Sequence, residues 1–201
     1  MVRGVRLLLV RHGESTWNAE RRMQGAADPP LSPAGRAQAL ALRPLIGPLE
    51  PDAVVTSDLR RARETARLLG LDGAPADPRW REVDLGHWTG RLVDEVDGRE
   101  REAYMGWLEG ALAPPGGEDF GATCARVADA VRELAASGAR RALVVTHGGP
   151  VRAACAVIAG LPRSGLVAVP TASLTELEVS DRPRLRAFGV TLRRHPEHPP
   201  P

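Results

Sequence analysis

The chain has 201 residues, of which 43% are hydrophobic and 26% are charged, and its formal net charge is +2. This length and composition are typical of one globular domain with a substantial core, and so small a net charge gives no indication of nucleic-acid binding. All 27 basic residues are arginine, which excludes a lysine Schiff base and a Walker-type phosphate lysine.

The cysteines and the hydropathy pattern favour a cytoplasmic protein. Cys124 and Cys155 fall on apolar helical stripes, so we expect buried packing residues and no disulfide framework. No apolar run is long enough for a signal peptide or a membrane span. We expect a single domain over 1–192 and a flexible C-terminal tail over 193–201, where prolines disfavour regular structure and two histidines lie on the surface by chance.

Strand and helix signals alternate in the first half of the chain. The predicted elements are a strand at 7–10, a loop at 17–30 over the pocket, a helix from Ser32-Pro33 to Gly47-Pro48, a strand at 53–57 and a helix that begins near Leu59 and ends at Gly70. The Ser-Pro pair supplies an N-cap and a first helical residue, and the glycines stand where helices end.

The second half continues the alternation and closes with a hairpin. We expect a loop over 71–92, an irregular helix over 93–112, and a long helix that begins at Phe120 and ends at Gly138. A strand at 142–146 and a helix with Pro150 near its start follow, and antiparallel strands at 173–179 and 184–190 come last. This order predicts an α/β protein, a three-layer α/β/α sandwich whose mostly parallel central sheet has an antiparallel edge.

Basic residues follow each of the first three predicted strands. Arg11-His12-Gly13 follows the first, Arg61 follows the second, and His147-Gly148-Gly149 follows the third. An open parallel sheet binds its ligand beyond the carboxyl ends of its strands. Guanidinium groups and helix N-termini both match phosphate oxygens, so these residues predict an anion pocket.

Two histidines in such a pocket can divide the work of phosphoryl transfer. One attacks phosphorus as a neutral imidazole, while the other stays protonated and stabilises the transferring group. A metal site is the rival interpretation, but the neighbouring arginines repel a cation, so no metal is expected. Alternatively, Arg11 and Arg61 pair with carboxylates and His147 only caps a helix; the joint placement at strand ends disfavours this.

Five ordered segments resemble a known family. They are 9–18, which contains Arg11-His12-Gly13-Glu14, then 24–39, 57–65, 81–90 and 145–149. Together they make residues 6–160 similar to the histidine phosphatase superfamily, the phosphoglycerate-mutase-like proteins.

The resemblance implies a role for each matching residue. His12 would be the nucleophile that forms a phosphohistidine, and Glu82 would protonate the leaving oxygen and then activate water. Residues expected to hold the substrate phosphoryl group are Arg11, Asn18, Arg61, His147 and Gly148. The mechanism requires neither a cofactor nor a metal.

Three functions remain open within the family. We favour a phosphatase for small-molecule phosphate esters, because the compact chain has only a short segment to cover the site and a more open site admits water. Among phosphatases, 81–90 and 115–118 resemble the α-ribazole phosphatase and broad-specificity branches. The alternative is a 2,3-bisphosphoglycerate-dependent phosphoglycerate mutase, in which Arg91, Arg99 and Arg101 would hold a second phosphate. A catalytically inactive phosphate-binding relative ranks last. The chain is expected to be a monomer or homodimer.

Some residues near the motifs keep two interpretations. Ser57 either bonds a phosphate oxygen or caps its helix, and Glu14 borders the pocket or, as we favour, has a structural role. We expect the substrate wall within 91–117. Four aromatic residues are candidates for a substrate wall, although core packing is the commoner use: Trp17, Trp88, Tyr104 and Trp107.

Overall fold

The computed structural model of the chain describes residues 4–192. It contains a five-stranded sheet made of β1 (Val5–Arg11), β2 (Ala53–Thr56), β3 (Arg141–Thr146), β4 (Ser173–Val179) and β5 (Arg184–Val190). The strand order is β2-β3-β1-β4-β5, in which β1, β2 and β3 are parallel while β4 and β5 add an antiparallel edge. The predicted sheet is therefore confirmed.

Helices cover both faces of the sheet. They are α1 (Thr16–Ala19), α2 (Pro33–Ile46), α3 (Arg60–Leu68), α4 (Val93–Arg99), α5 (Arg101–Glu109), α6 (Phe120–Ala136) and α7 (Gly148–Ala159). Because side chains alternate along a strand, Leu7 and Leu9 of β1 belong to the core under α6 and α7. Leu8 and Val10 belong to the opposite core under α2 and α3. These layers confirm the three-layer α/β/α architecture.

Two predicted segments differ from the structure. The expected loop at 17–30 overlaps α1, a four-residue helix in which Ser15 and Asn18 form a capping box. The irregular helix expected over 93–112 is two helices, because the chain leaves helical geometry at Glu100, where φ is −133°. The Glu100 carboxylate there accepts a hydrogen bond from Trp88 Nε1 at 2.7 Å.

The predicted tail over 193–201, with its two histidines, lies outside the described residues, and its assignment stays a prediction. Over residues 4–192, no helix is long and apolar enough to cross a membrane.

The N-terminus of α2 packs directly on the loop that follows β1. A Cβ at Gly35 would lie 1.9 Å from the carbonyl oxygen of Glu14, and a Cβ at Gly13 would lie 2.3 Å from the carbonyl oxygen of Gly35. Both distances are far below van der Waals contact, so only glycine fits at either position. This contact fixes the backbone that carries His12.

We expect the substitution Gly35→Ala to lower the free energy of unfolding by at least about 1–3 kcal/mol, the usual range for overpacking. The added methyl group must push Glu14 away from α2, so enzymatic activity should fall as well. Gly98→Ala is the matched control, since nothing lies within 4 Å of its Cβ position in α4 and alanine favours helix. Urea unfolding of both variants measures the difference; equal stability of the two would contradict the prediction.

Candidate active site

The carboxyl ends of three parallel strands bring four basic side chains together. Arg11 ends β1 and His12 follows it, Arg61 lies in the first turn of α3 after β2, and His147 is the N-cap of α7 after β3. His12, Arg61 and His147 are almost completely buried, and Arg11 is half-buried. The two imidazole centroids are 5.0 Å apart. We call Arg11, His12, Arg61 and His147 the basic cluster.

Hydrogen bonds define the tautomer of His12. Its Nδ1 lies 2.6 Å from the carbonyl oxygen of Gly13, which can only accept, so Nδ1 carries the proton. Nε2 then keeps its lone pair and accepts a hydrogen bond from Nε of Arg61 at 3.3 Å. The nitrogen that can act as a nucleophile therefore faces the guanidinium of Arg61.

His147 is held by Ser57, which follows β2. Its Nε2 lies 2.8 Å from the Ser57 hydroxyl, whose oxygen also accepts from the backbone N–H of Leu59 at 3.3 Å. The N-cap of α3 is Leu59, so Ser57 does not occupy the helix-cap position that one of its two interpretations gave it. Among the described residues, His147 Nδ1 is buried without a hydrogen-bond partner, so this atom can contact a ligand.

The arginines of the basic cluster are anchored by backbone carbonyls. Arg61 donates to Ala27 at 2.6 Å and to Gly25 at 2.9 Å, and Arg11 donates to Val169. Neither forms an ion pair with a carboxylate of residues 4–192. The alternative in which they are structural ion pairs is therefore wrong, and their positive charge remains available to an anion.

Glu82 is held at the N-terminus of α7. Its Oε1 accepts hydrogen bonds from the backbone N–H groups of Gly149 at 2.9 Å and Val83 at 3.0 Å. A Cβ at position 149 would lie 2.3 Å from this oxygen, so the close approach depends on glycine. The carboxylate is thereby fixed at the same helix end as His147.

Burial sets the protonation of the basic cluster. Desolvation, reinforced by the charge of Arg61, lowers the pKa values of His12 and His147 well below the ordinary 6.5. Desolvation also lowers the pKa of Arg61 to about 10. Both imidazoles are thus neutral at neutral pH without a ligand. A phosphate dianion beside them would favour the protonated form, so a protonated histidine during phosphoryl transfer stays a prediction.

Arg11 of the basic cluster lines a cleft of about 360 Å³, whereas His12, Arg61 and His147 lie behind its wall and are not among the lining residues. Arg11, Asn18, Glu82 and Gly148 line it, so the structure brings these predicted site residues to one cavity. Asn18 Oδ1 accepts hydrogen bonds from the Ser15 backbone N–H and hydroxyl, both at 3.1 Å. Glu14 accepts a hydrogen bond from Ser32 at 2.6 Å, in keeping with a structural role.

The cleft wall also contains residues that sequence analysis missed or set aside. Tyr104 and Trp107 of α5 line it, whereas Trp88 is fully buried and Trp17 is not on the wall. Arg152 and Arg163 also line the cleft, and the sequence motifs include neither of them. Arg152 lies six residues after Thr146, the last residue of β3. This closeness to a strand end is the only signal in the sequence that could have placed it near the site.

The three arginines considered for a second phosphate lie elsewhere. Arg91 pairs with Glu95 and Glu100, Arg99 pairs with Glu95, and Arg101 pairs with Asp97. Their charges are thus neutralised by neighbouring carboxylates, and none of the three lines the cleft. Within 4–192, no group of three or more histidine, cysteine or acidic side chains is arranged to hold a metal ion.

Comparison with known proteins identifies the family. Residues 7–190 match the histidine phosphatase superfamily (branch 1). A glucosyl-3-phosphoglycerate phosphatase of Mycolicibacterium vanbaalenii is 40% identical over 169 residues, which cover 78% of this chain and 75% of the relative. A solved mycobacterial glucosyl-3-phosphoglycerate phosphatase in complex with VO3 superposes with a TM-score of 0.86 at 35% identity, covering 93% of this chain and all of the other.

Other relatives carry different names. A metal-independent phosphoserine phosphatase of Arabidopsis thaliana is 36% identical over 156 residues, covering 73% of this chain and 66% of the relative. A probable phosphoglycerate mutase of Enterobacter sp. is 36% identical over 167 residues, covering 79% and 76%. These similarities support a phosphatase more strongly than a mutase.

Because the buried histidines have lowered pKa values, the unfolded chain binds more protons than the folded one below pH 6.5. Their contribution to stability is complete above that pH and decreases as the pH falls, by up to about 1.4 kcal/mol per pH unit for each histidine. Urea unfolding between pH 7.5 and 5 should show a shallower dependence for His12→Asn and His147→Asn than for the unmodified chain. The control is His87→Asn, which changes an exposed histidine. Parallel profiles of the unmodified chain, His12→Asn and His147→Asn would contradict the prediction.

Proposed function

Because the chain belongs to the histidine phosphatase superfamily, we propose that it hydrolyses small-molecule phosphomonoesters through a phosphohistidine on His12. The observation that carries the proposal is the tautomer of His12. Its Nδ1–H is held by the Gly13 carbonyl, and its unprotonated Nε2 faces Arg61 inside a pocket of positive charge. A nucleophile for phosphorus needs such an unprotonated nitrogen, and the weak hydrogen bond from Arg61 at 3.3 Å must open as the phosphoryl group binds.

In the first step, His12 Nε2 attacks phosphorus and the bond from phosphorus to the ester oxygen breaks. Arg11, Arg61 and His147 surround the transferring group and stabilise its negative charge, with Asn18 and the Gly148 N-terminus of α7 completing the phosphoryl site. Glu82 gives its proton to the leaving alkoxide, which departs as an alcohol. The carboxyl group is positioned for this by the Gly149 N–H.

In the second step, water attacks the phosphohistidine. Glu82, now a carboxylate, accepts a proton from the water as the bond from His12 to phosphorus breaks. Inorganic phosphate leaves, and His12 and Glu82 return to their starting forms. Every proton is moved by a side chain of the chain itself, so the proposal requires neither metal nor cofactor.

The Enterobacter relative supports the mutase alternative, whereas the three arginines that the sequence offered for a second phosphate do not. A mutase must hold a second phosphate, and the arginines considered for that task are ion-paired outside the cleft. We therefore propose hydrolysis, with small phosphate esters as substrates. A cytoplasmic location and a monomeric or homodimeric state remain predictions.

We expect His12→Ala to abolish turnover, because it removes the nucleophile. Glu82→Gln should lower kcat by about 10²–10⁴, the usual contribution of general acid–base catalysis. The measurement is steady-state phosphate release from a panel of phosphomonoesters in the presence of a chelator, with His87→Asn as an exposed control.

Two outcomes would contradict this assignment. Full activity of His12→Ala would exclude the proposed nucleophile. Isomerisation of 3-phosphoglycerate that depends on added 2,3-bisphosphoglycerate, without net phosphate release, would replace the hydrolase by the mutase.

A further inference from the structure

Two arginines lie on the cleft wall outside the basic cluster. Arg152 projects from α7 and is half-buried, and Arg163 begins a 3₁₀ turn, Arg163–Gly165, with 5% of its surface exposed. Both line the cavity that contains Arg11 and Glu82. They are therefore positioned to contact a part of the substrate other than the phosphoryl group.

Neither arginine has an acceptor within residues 4–192. The Nε of each is buried without a hydrogen-bond partner, and neither forms an ion pair. The other arginines in that range are paired with carboxylates, exposed, or members of the basic cluster. A buried guanidinium N–H without an acceptor is unfavourable for folding, so these two side chains indicate a ligand.

Aromatic rings fix the position of Arg163. Its guanidinium carbon lies 4.6 Å from the ring centroid of Trp107 and 5.2 Å from that of Phe120. Gly110, at the end of α5, has a φ of +81° and approaches so closely that a Cβ there would lie 3.2 Å from Arg163 Cδ. Stacking on rings uses the faces of a guanidinium and leaves its N–H edges for an acceptor.

The cleft and the basic cluster carry more positive charge than one phosphoryl group neutralises. Glu82 is the carboxylate that acts electrostatically on Arg11, Arg61, Arg152 and Arg163 together. With neutral imidazoles, these five side chains carry a net charge of +3. A phosphomonoester dianion neutralises two of those charges, and at least one remains, more once Glu82 is protonated for the first step. The remaining positive charge favours a second anionic group, and a carboxylate is the smallest such group.

We propose that Arg152 and Arg163 form a subsite for a carboxylate, and that the substrates are phosphomonoesters carrying a carboxylate on the same small molecule. This inference rests on the proposed phosphatase function. The planar forks of the two arginines match the two oxygens of a carboxylate, which would lie against Trp107 while the phosphoryl group occupies the basic cluster.

The test compares two esters that differ at one group. 3-Phosphoglycerate carries the carboxylate, and the matched enantiomer of glycerol 1-phosphate replaces it by a hydroxymethyl group. We expect kcat/KM to favour 3-phosphoglycerate by about tenfold or more, the discrimination typical of a charge-assisted hydrogen bond. This preference should fall at least about fivefold in Arg152→Gln and in Arg163→Gln.

Arg184→Gln is the matched control, because Arg184 is exposed on β5, away from the cleft. It should keep the preference of the unmodified chain. If burial of Arg163 prevents its variant from folding, Arg152→Gln and the preference of the unmodified chain still decide the question. Equal kcat/KM values for the two esters, or a preference retained in the folded variants, would overturn the subsite.

The failure of the phosphatase proposal would look different. Hydrolysis of p-nitrophenyl phosphate, which has no carboxylate, reports phosphatase activity alone. If neither p-nitrophenyl phosphate nor the two esters are hydrolysed, the phosphatase proposal is wrong. Calorimetric titration of both esters into the unmodified protein then tests the subsite through their binding affinities. Tighter binding of 3-phosphoglycerate would then support the subsite, while equal affinity or no binding of either ester would exclude it.

Discussion

Burial of positive charge at the carboxyl edge of the sheet is the constraint on which the rest of this structure depends. Arg61 is fully buried beside two buried imidazoles, and the half-buried Arg11 adds a second guanidinium. Desolvation and mutual repulsion both oppose this arrangement. Backbone carbonyls of Gly25, Ala27 and Val169 provide acceptors in place of carboxylates, which fixes the loops that carry them without neutralising the charge. A bound phosphate dianion would neutralise this positive charge. The arrangement that is unfavourable for folding is therefore preorganised to bind an anion.

Close backbone contacts keep the reacting groups in place. The Gly13–Gly35 contact holds the loop after β1 against α2, and the Gly13 carbonyl in turn orients His12. On the other side of the cleft, the N–H of Gly149 holds the carboxylate of Glu82. The proposed nucleophile and the proposed proton donor are therefore positioned by main-chain atoms of different elements. Such positioning explains why a methyl group added at Gly35, outside the cleft, is expected to reduce catalysis.

The sequence predicted the groups whose position follows from sheet topology. Parallel strands end at one edge, so the strand-end positions of Arg11, His12, Arg61 and His147 are enough to predict that they meet. Glu82 came from the family resemblance, since a loop residue has no periodicity that would place it. Arg163 could not be found in this way, because its 3₁₀ turn reaches the cleft only through tertiary packing against Trp107. The surface pairs Glu95–Arg99 and Asp97–Arg101 have i,i+4 spacing, a pattern that by itself indicates their neutralisation.

The most direct test of the central claim is to trap the phosphorylated protein during turnover. A rapid-quench experiment would mix the protein with a hydrolysed phosphomonoester, stop the reaction in alkali, and locate any phosphoryl group by peptide mass spectrometry. We predict a phosphohistidine on His12 that forms and decays at least as fast as kcat, and that is absent from His12→Ala. Turnover without phosphorylation of His12, or with the phosphoryl group on another residue, would contradict the mechanism.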